Sequence, residues 1–598
     1  MKIKVARYIA DFFVSHNIEH VFTITGGGAM HLNDALGHKK GLSCIYNHHE
    51  QACAIAAEGY TRLTGKLAAV CVTSGPGGTN AITGVLGGWL DSIPMFIISG
   101  QVKRETTIWA TDVPLRQLGD QEFNIIDSVR PMTKYAYMIT DANEVRYHLE
   151  KALYLCMTGR GGPVWLDIPL DIQAAIVDTD NLKGFNPEQE FVEKKPIYDL
   201  KITDVILEKL QQAERPVILA GTGIRLADAH QDFLKLIDKL QIPVVTAWNA
   251  HDVITDTHPL NCGRPGTVGT RGGNFVVQNC DLLLVLGCRM NIRMISYNYW
   301  EFAKNAYKII VDIDKYELLK PTIHPDLPVC ADVKDVLQEM LKSDKYINNP
   351  LHKEWLLWCY KVNQKYPATL PEYYKNSGKL NPYVFINELS NVLEEDDTVV
   401  CGNGSACVIT FQAAKIKQGQ RFFTNSGCAA MGYGFPAAIG ACVALKGKRV
   451  ICIDGDGSFQ MNLQELQTVV YNHLNIKIMY LNNNGYHSIR QTQTNLFQPP
   501  LVGVCDGNGV SFPEAEKLAY AYGIPYIRID TVEGIYAKLE SVLEIEGPVF
   551  CEVIVDPNQN FEPKLSSKVL PDGRIVSPPI DDMYPFLDKK EYEENHWK

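Results

Sequence analysis

The chain has 598 residues, of which 46% are hydrophobic and 21% charged, and its formal net charge at pH 7 is −11. This length exceeds what one hydrophobic core serves, and the composition is that of a globular protein, so we expect about three or four domains. The negative charge disfavours a surface for nucleic acids or anionic membranes, and no apolar run reaches the ~18 residues of a membrane span.

The first residues and the cysteines point to a cytoplasmic protein. Arg7, Asp11 and His16 interrupt the apolar residues of the N-terminal stretch, a pattern typical of an amphipathic helix rather than of a signal peptide. The sixteen cysteines include no CxxC pair, and several, such as Cys71 and Cys452, lie inside apolar strand-like runs. A free thiol behaves there as a small hydrophobe, so we expect buried reduced cysteines and no zinc site.

Residues 1–185 alternate helical and strand patterns with short glycine-rich turns, which predicts a parallel sheet with helices on its faces. A strand that ends at Tyr46 leads into a helix with Glu50 near its start. The segment 74–80, SGPGGTN, has the composition of an anion-binding helix N-terminus, although a lone glycine-rich loop is a weak signal.

A second α/β unit follows a charged, proline-containing linker at about 186–200, and we place this domain at 190–345. One of its strands ends in Asp312 and Asp314, where nucleotide-binding domains often contact a ribose; each is alternatively a plain strand-end acid. A GxGxxG motif is missing from the unit, so a standard NAD site is not expected. The segment 345–378 is interpreted as a second linker.

The third α/β unit, 378–556, carries the most specific pattern in the chain. A strand ends in Asp456 within DGDGS, and the next strand ends in Asn483 within NNNG, 483 − 456 = 27 residues later. Both clusters follow the carboxyl ends of neighbouring parallel strands, where open α/β sheets bind ligands. A carboxylate, an amide oxygen and a glycine-rich backbone suit Mg²⁺. The alternative is a pair of ordinary turns.

Residues 557–598 contain several prolines and little periodicity, and we interpret them as a tail that docks on the protein as a lid. The apolar residues expected to anchor it are Phe561, Leu570, Met583, Tyr584, Phe586 and Leu587.

Five motifs give the chain a resemblance to a known family: HEQACAIAAEGYTR, TSGPGGTN, GPVWLDIPLD, AMGYGFPAAIGA and GDGSF…LNNNGY. Together they resemble the acetolactate (acetohydroxyacid) synthase large-subunit family of thiamine-diphosphate enzymes over essentially the whole chain. The resemblance implies three doubly wound parallel-sheet α/β domains: pyrimidine-binding (1–185), central (190–345) and diphosphate-binding (378–556). The lid-like tail, 557–598, follows them.

The resemblance also implies site residues. Glu50 would hold N1′ of the aminopyrimidine, the Gly26-Gly27 pair would face the thiazolium, where the Gly27 N–H could stabilise an oxyanion, and Gln121 would lie near the substrate. Glu50 must therefore be able to exist protonated, which burial on an apolar helix start would promote. The implied metal ligands are Asp456, Asn483 and the carbonyl of Gly485. The implied cofactor contacts are Gly402, Asn403, Gly404, Ser405, Ala406, Met431, Gly455, Gly457, Ser458, Asn483 and Tyr486.

Departures from the family pattern concern the substrate. Thr492 stands where the synthases carry a Trp that closes the acceptor pocket, which predicts a wider, more polar pocket without a preference for 2-ketobutyrate. Asp120 replaces a Phe before Gln121. His48 and His49 are core or rim histidines, or hydrogen-bond a hydroxylated acceptor. The NNNGYHSIRQTQ stretch and the tail resemble a subgroup associated with surface-polysaccharide and branched-sugar synthesis, which implies a keto-sugar nucleotide as an alternative acceptor.

A flavin is the third cofactor that the resemblance implies, because the family's central domain usually holds a non-redox FAD. Gly223, Arg289 and Asp312 stand where FAD contacts would lie, whereas Val268 replaces a histidine of the family pattern. We expect FAD in addition to thiamine diphosphate and Mg²⁺.

The predicted function is decarboxylation of pyruvate, a 2-keto acid, and ligation of the two-carbon unit to a carbonyl acceptor. The alternatives are transfer of an acetyl unit to a keto-sugar nucleotide, a non-ligating decarboxylase or oxidase, and a catalytically silent cofactor-binding subunit. Because the family's site forms between two chains, we expect a homodimer or homotetramer. We expect no nucleic-acid partner and no membrane partner.

Overall fold

The computed structural model describes residues 1–191, 201–345, 348–375, 378–569 and 572–597. Its main strands form three parallel sheets of six, five and six strands, one in each successive part of the chain. We call these parts the N-terminal, central and C-terminal domains. Helices cover both faces of each sheet, which confirms the predicted α/β architecture.

The strand orders are those of open, doubly wound sheets. In the N-terminal domain the order is Ser43–Tyr46, His20–Thr23, Ala69–Val72, Met95–Gln101, Pro163–Pro169, Tyr135–Met138. In the central domain it is Val244–Thr246, Pro216–Ala220, Leu282–Leu286, Tyr307–Asp312, Leu327–Cys330. In the C-terminal domain it is Arg421–Phe423, Thr398–Cys401, Val450–Gly455, Ile476–Asn482, Val549–Ile554, Tyr526–Ile529.

The α-helices alternate with these strands. The N-terminal domain has Val5–Ser15, Met30–Gly37, Glu50–Thr64, Pro76–Asp91, Ile125–Val129, Val145–Met157, Leu170–Ala174 and Pro187–Glu190. The central domain has Ile202–Gln212, Gly223–Leu226, His230–Leu240, Arg271–Asn279, Ile292–Ile295, Val333–Lys342 and Leu351–Lys365. The C-terminal domain has Pro382–Val392, Ser405–Ala413, Gly434–Ala444, Asp456–Phe459, Leu466–Tyr471, His487–Leu496, Ala515–Tyr522 and Ile535–Glu544, and the tail has Lys589–Glu594.

Buried apolar residues explain why these segments form a parallel sheet. All five residues of Leu282–Leu286 and all seven of Met95–Gln101 are buried, as expected where helices cover both faces. Cys71 and Cys452 are fully buried inside strands, which confirms their predicted burial. Among the described residues, no helix combines the length and the apolar composition needed to cross a membrane.

One helix pair joins the N-terminal and C-terminal domains. Helix Glu50–Thr64 crosses helix Gly434–Ala444 at backbone contact, because a Cβ at Gly440 would stand 1.9 Å from the carbonyl oxygen of Ala56. Small residues are therefore required on both sides of the crossing. The contact holds the two domains of one chain together.

The predicted second linker is wrong as an irregular segment, because helix Leu351–Lys365 occupies its middle. Trp355, Cys359 and Val362 form the buried face of this helix at the spacing of helical turns. The Trp355 Nε1 donates to the carbonyl of Pro216 at 3.0 Å, so the helix is part of the central domain's core. Most of the first predicted linker, 192–200, lies outside the described residues.

The tail docks, as predicted, and most of it covers the central domain. Arg271 donates to the carbonyl of Pro585 at 2.7 Å. The Trp597 ring packs edge-on against Trp355 and Trp358, with ring centroids 5.5 and 5.9 Å apart. Among the described residues of the tail, Pro557 and Phe561 lie beside the edge of the C-terminal sheet that carries Asp456 and Asn483.

The predicted anchors of the tail contribute unequally. Phe561 and Met583 are buried, Phe586 and Leu587 half-buried, Tyr584 is exposed, and Leu570 lies outside the described residues. Tyr584 is therefore not an anchor through its side chain. Its backbone instead pairs with that of Lys564, at 2.8 and 2.9 Å.

Candidate active site

Two neighbouring strands of the C-terminal sheet bring the predicted metal ligands together. Strands Val450–Gly455 and Ile476–Asn482 pair in parallel, with Gly455 opposite Leu481. Asp456 and Asn483 therefore leave the sheet at the same edge, and both are buried. This is the arrangement that the spacing predicted.

The Asp456 carboxylate and the Asn483 amide supply oxygen donors that fit a hard cation. Asp456 accepts hydrogen bonds from the backbone N–H groups of Gly457 (2.7 Å) and Gly485 (2.9 Å), and burial raises its pKa to about 6. The Oδ1 of Asn483 is buried and has no hydrogen-bond partner among the described residues. A buried amide oxygen without a donor costs about 1–3 kcal/mol unless a ligand satisfies it. The donor set therefore fits Mg²⁺.

A side chain at position 485 would require a different conformation of the loop. Its φ is +127°, and a Cβ there would stand 2.0 Å from the carbonyl oxygen of Val504. The Gly485 carbonyl accepts from the N–H of His487 at 3.0 Å, which leaves one lone pair for a metal. The Tyr486 ring lies against Gly457, which joins the two predicted loops.

The segment Gly402–Ala406 lies beside these ligands and has the geometry of an anion site. Helix Ser405–Ala413 begins here, and Asn483 Nδ2 donates to Ser405 Oγ at 3.3 Å. A helix N-terminus presents free backbone N–H groups and partial positive charge, which fit a diphosphate next to a metal. Asn403 Nδ2 donates to the Ala429 carbonyl at 3.2 Å.

The position of Met431 follows from the contact that the next residue, Gly432, makes. The N–H of Gly432 donates to Ser458 Oγ at 3.0 Å, so the residue before it lies near the start of helix Asp456–Phe459. Met431 is half-buried. The structure thus gathers the residues predicted to hold the metal and the diphosphate.

Asp454 is a buried carboxyl that the sequence analysis treated as part of a strand end. Its side chain fills the space beside Gly402, where a Cβ would stand 2.0 Å from the Asp454 Oδ1. Burial raises its pKa to about 7, and Oδ1 accepts from the N–H of Gly455 at 2.9 Å. Its place at the end of an apolar strand-like run was the sequence signal.

Glu50 begins helix Glu50–Thr64 at the edge of the N-terminal domain. Asn80 Nδ2 donates to Glu50 Oε2 at 3.0 Å, so the carboxyl is oriented by the SGPGGTN segment. Its side chain is half-buried in the single chain.

The Gly26-Gly27 pair lies at the same edge. The N–H of Gly28 donates to Thr73 Oγ1 at 3.0 Å, which fixes the turn against the strand end that precedes SGPGGTN. Gly27 is exposed, and apart from its own chain neighbours no described residue has a heavy atom within 4 Å of the position of a Cβ. The turn therefore leaves room for a ligand beside Gly27.

Gln121 adopts a left-handed conformation, with φ of +59°, and its backbone lies against Gly75. The buried neighbour Glu122 explains how this loop is held. Its carboxylate accepts from the backbone N–H groups of Ile108, Leu118 (2.8 Å) and Gly119 (3.0 Å). The sequence analysis missed Glu122, because a contact with a loop up to fourteen residues away leaves no local signal.

Asp167 is a buried acid below the Gly26-Gly27 turn, and it has no cationic partner among its hydrogen bonds in the described part of the chain. Ser99 Oγ and Gln101 Nε2 donate to its carboxyl at 2.5 and 3.0 Å. Gln173 Nε2 donates to the Gly28 carbonyl at 2.7 Å, which connects this strand end to the turn. Burial raises the pKa of Asp167 to about 7.

Asp167→Asn is expected to flatten the dependence of stability on pH. An unfolded aspartate titrates near pKa ~3.9, so between about pH 4 and 7 the folded protein binds more protons than the unfolded chain. This contribution to stability is complete below pH ~4 and is lost as the pH rises to about 7. Between about pH 5 and pH 8, the free energy of unfolding should fall by about 2–3 kcal/mol more for wild type than for Asp167→Asn, as measured by denaturant unfolding.

The matched control is Asp344→Asn, at an exposed aspartate. It should follow the wild-type pH dependence. Equal losses of stability for wild type and Asp167→Asn would contradict a protonated Asp167 in the folded state.

The residues predicted to contact substrate are on the surface of the single chain. His49 caps helix Glu50–Thr64, and its Nδ1 accepts from the N–H of Gln51 at 3.2 Å. The neutral ring therefore carries its proton on Nε2, where it can donate. Thr492 is exposed on helix His487–Leu496, and its hydroxyl donates to the carbonyl of Ser488 at 3.0 Å.

The residues predicted to contact FAD lie at the strand ends of the central domain. Gly223 N–H donates to the Gly287 carbonyl at 2.9 Å. Asp312 is buried, which raises its pKa to about 6, and it accepts from the N–H of Asp314 at 2.9 Å. Arg289 pairs with Glu317 at 3.2 Å. Three aromatic residues are exposed nearby in the sequence: Tyr297, Trp300 and Tyr316.

The structure thus forms two groups, one around Glu50 and one around Asp456. No hydrogen bond of the described residues joins Glu50 directly to Asp456 or Asn483. The two groups are linked indirectly by Asn462, whose Nδ2 donates to Gln51 Oε1 (3.0 Å) and to the Gly432 carbonyl (2.8 Å).

Comparison with known proteins agrees with the three-domain α/β architecture. Three family models match in chain order: thiamine pyrophosphate enzyme, N-terminal TPP binding domain (3–124), central domain (203–340) and C-terminal TPP binding domain (402–553). The chain is 33% identical to the acetolactate synthase large subunit of Cyanidium caldarium, over 93% of this chain and 94% of that protein. It is 31% identical to the large subunit of Lactococcus lactis, over 93% of each chain. It is 29% identical to the isozyme 1 large subunit of Escherichia coli, over 93% and 95%.

Proposed function

The chain belongs to the acetolactate synthase large-subunit family of thiamine pyrophosphate enzymes, and we propose that the two groups of residues form its thiamine diphosphate and Mg²⁺ site. It is an enzyme that decarboxylates pyruvate and ligates the two-carbon product to a carbonyl acceptor. The observation that carries the proposed site is the buried, unpaired Oδ1 of Asn483 beside the Asp456 carboxylate.

Each group has a distinct task in this proposal. Bound thiamine diphosphate supplies the electron sink that lets a 2-keto acid lose its carboxylate. Asp456, Asn483 and the Gly485 carbonyl would hold Mg²⁺, which neutralises the diphosphate. The diphosphate-binding domain, 378–556, would hold the cofactor through Gly402, Asn403, Gly404, Ser405, Ala406, Met431, Gly455, Gly457, Ser458 and Tyr486.

The pyrimidine-binding domain, 1–185, would supply the groups that move protons and bind substrate. Glu50, oriented by Asn80, would exchange a proton with the aminopyrimidine. The Gly27 N–H and the Gln121 side chain would lie beside the reacting carbonyl, where N–H donors stabilise developing negative charge.

We infer that two copies of the chain complete each site. The half-buried Glu50 and its lack of a direct hydrogen bond to the metal ligands support this inference. So does the loop that carries Gln121, which exposes the apolar side chains of Trp109, Val113, Leu115, Leu118 and Phe123. Sedimentation should give a dimer or tetramer; a monomer at all concentrations would contradict the inference.

Two residues bear on the chemical identity of the carbonyl acceptor. The exposed hydroxyl of Thr492 and the donating Nε2 of His49 support an acceptor with hydroxyl groups, such as a keto-sugar nucleotide, as the alternative to a second pyruvate.

We also propose FAD as a ligand of the central domain, 190–345. The buried Asp312 carboxyl at a strand end, the half-buried Arg289 and the exposed aromatic residues near them support it. Purified protein should show flavin absorbance that is lost on denaturation and dialysis; colourless protein that binds no added FAD would contradict it.

The test of the function is product analysis with ¹³C-labelled pyruvate and a panel of acceptors. Wild type with thiamine diphosphate and Mg²⁺ should release CO₂ and form one ligated product that depends on the acceptor supplied. Asp456→Ala should form none, because the metal loses its carboxylate ligand. Aldehyde as the sole product would indicate a non-ligating decarboxylase. Absence of CO₂ with every acceptor would contradict the pyruvate reaction.

A further inference from the structure

We propose that Arg490 is a positioning residue that holds the loop carrying Asn483 and Gly485 in its metal-binding geometry; this rests on the proposed metal site. Its guanidinium Nη1 and Nη2 donate to the carbonyl of Asn483 at 3.2 and 3.1 Å. Nη2 also donates to the carbonyl of Asn484, and Nη1 to that of Pro557 at 3.3 Å. One side chain therefore contacts two consecutive carbonyls of the metal loop and the first residues of the tail.

The shape of the side chain matters more here than its charge. A cation beside the metal loop disfavours a bound metal electrostatically, so charge alone does not explain an arginine here. The partners of Arg490 are neutral carbonyls, so the guanidinium gains nothing from ion pairing with them. Its planar fork can bind several carbonyls at once, which a lysine ammonium on a flexible stem cannot reproduce. We infer that geometry is the reason for an arginine at this position.

The contact with Pro557 connects the loop to the chain that follows the C-terminal sheet. The segment after strand Val549–Ile554 passes over the start of helix His487–Leu496, where the His487 ring packs edge-on against Phe561 at 5.1 Å. Arg490 and this ring pair hold the helix start and the tail start together. These contacts connect the loop between Asn482 and His487 to the first residues of the tail.

The experiment compares metal affinity among Arg490→Lys, Arg490→Met and wild type. The full chain is first freed of bound cofactor and metal, and thiamine diphosphate is then added back. Mn²⁺ binding to this protein is measured by electron paramagnetic resonance. Both variants should bind Mn²⁺ about 10–100-fold more weakly, the usual effect of changing a residue that orients metal ligands. Their kcat should recover at saturating Mg²⁺, because the chemical groups remain in place.

Arg574→Met is the matched control, since Arg574 is 73% exposed and pairs with Asp572. It should leave the Mn²⁺ affinity unchanged. Wild-type affinity in Arg490→Met would overturn the proposal, and wild-type affinity in Arg490→Lys alone would reduce the role to charge and overturn the geometric argument.

The melting temperature of the metal-free protein separates positioning from a structural role. This melting temperature should differ little between Arg490→Lys and wild type. If Arg490→Lys lowers the melting temperature of the metal-free protein as much as that of the metal-loaded protein, Arg490 has a structural role and the proposal is overturned. If wild type itself binds neither Mn²⁺ nor thiamine diphosphate, the proposed site fails, and that result is distinct from unchanged affinity in the variants.

Discussion

Replacing Glu50 by glutamine is expected to lower kcat/KM by about 10²–10⁴-fold, the usual contribution of a positioned proton donor or acceptor. A glutamine side chain can still accept the hydrogen bond from Asn80, so the geometry at the helix start should survive. What disappears is the group that can hold and release a proton. Steady-state kinetics with pyruvate at saturating thiamine diphosphate and Mg²⁺ measures the effect.

Glu354→Gln is the matched control, because Glu354 is an exposed glutamate in the first turn of another fifteen-residue helix, Leu351–Lys365. Its kinetics should equal those of wild type. The melting temperature of Glu50→Gln should also be unchanged, which excludes unfolding as the cause of lost activity. Turnover near the wild-type rate in Glu50→Gln would refute the proton-transfer role.

Gly440→Ala is expected to destabilise the protein by about 3 kcal/mol or more, at the upper end for overpacking. An alanine in the middle of an exposed helix would gain about 1 kcal/mol over glycine. Here the added methyl would stand 1.9 Å from the Ala56 carbonyl oxygen, and backbone cannot move aside as a side chain can. The clash with the Ala56 carbonyl therefore outweighs the gain in helix propensity, and the substitution is destabilising. Differential scanning calorimetry should show the transition of the C-terminal domain lowered by roughly 6–12 °C, the shift that ~3 kcal/mol produces in a unit of about 150–250 residues.

Gly37→Ala provides the comparison, at the last residue of helix Met30–Gly37. The atom that a methyl would approach there is the Tyr46 hydroxyl oxygen, at 3.1 Å, the far end of a long side chain. This variant should melt within a few degrees of wild type. A melting temperature for Gly440→Ala as high as that of Gly37→Ala would contradict a tight helix crossing.

The three sheets and the metal loop could be predicted because their signals are local. Strand periodicity predicts parallel strands, and the 27-residue spacing of Asp456 and Asn483 follows from one strand–helix–strand unit. The helix Leu351–Lys365 has an equally local pattern in Trp355, Cys359 and Val362, but the segment's richness in Trp, Tyr and Lys led us to interpret it as a linker.

The remaining features depend on contacts between distant parts of the chain. Glu465 is fully buried and accepts hydrogen bonds at 2.9 Å from the Asn47 side chain and the His48 N–H, more than 400 residues away in sequence. Arg490 likewise donates a hydrogen bond to the carbonyl of Pro557, a residue distant from it in sequence. Whether a carboxyl such as Glu50 is buried also depends on which surfaces meet, and periodicity does not report that.

The docked tail gives the protein an optical reporter of its own. The rings of Trp355, Trp358 and Trp597 lie within 4.9–5.9 Å of one another, close enough for their electronic transitions to couple. Two of these indoles belong to the helix of the central domain and the third to the tail. Near-ultraviolet circular dichroism should therefore follow attachment and release of the tail directly, in the absence of substrate or turnover.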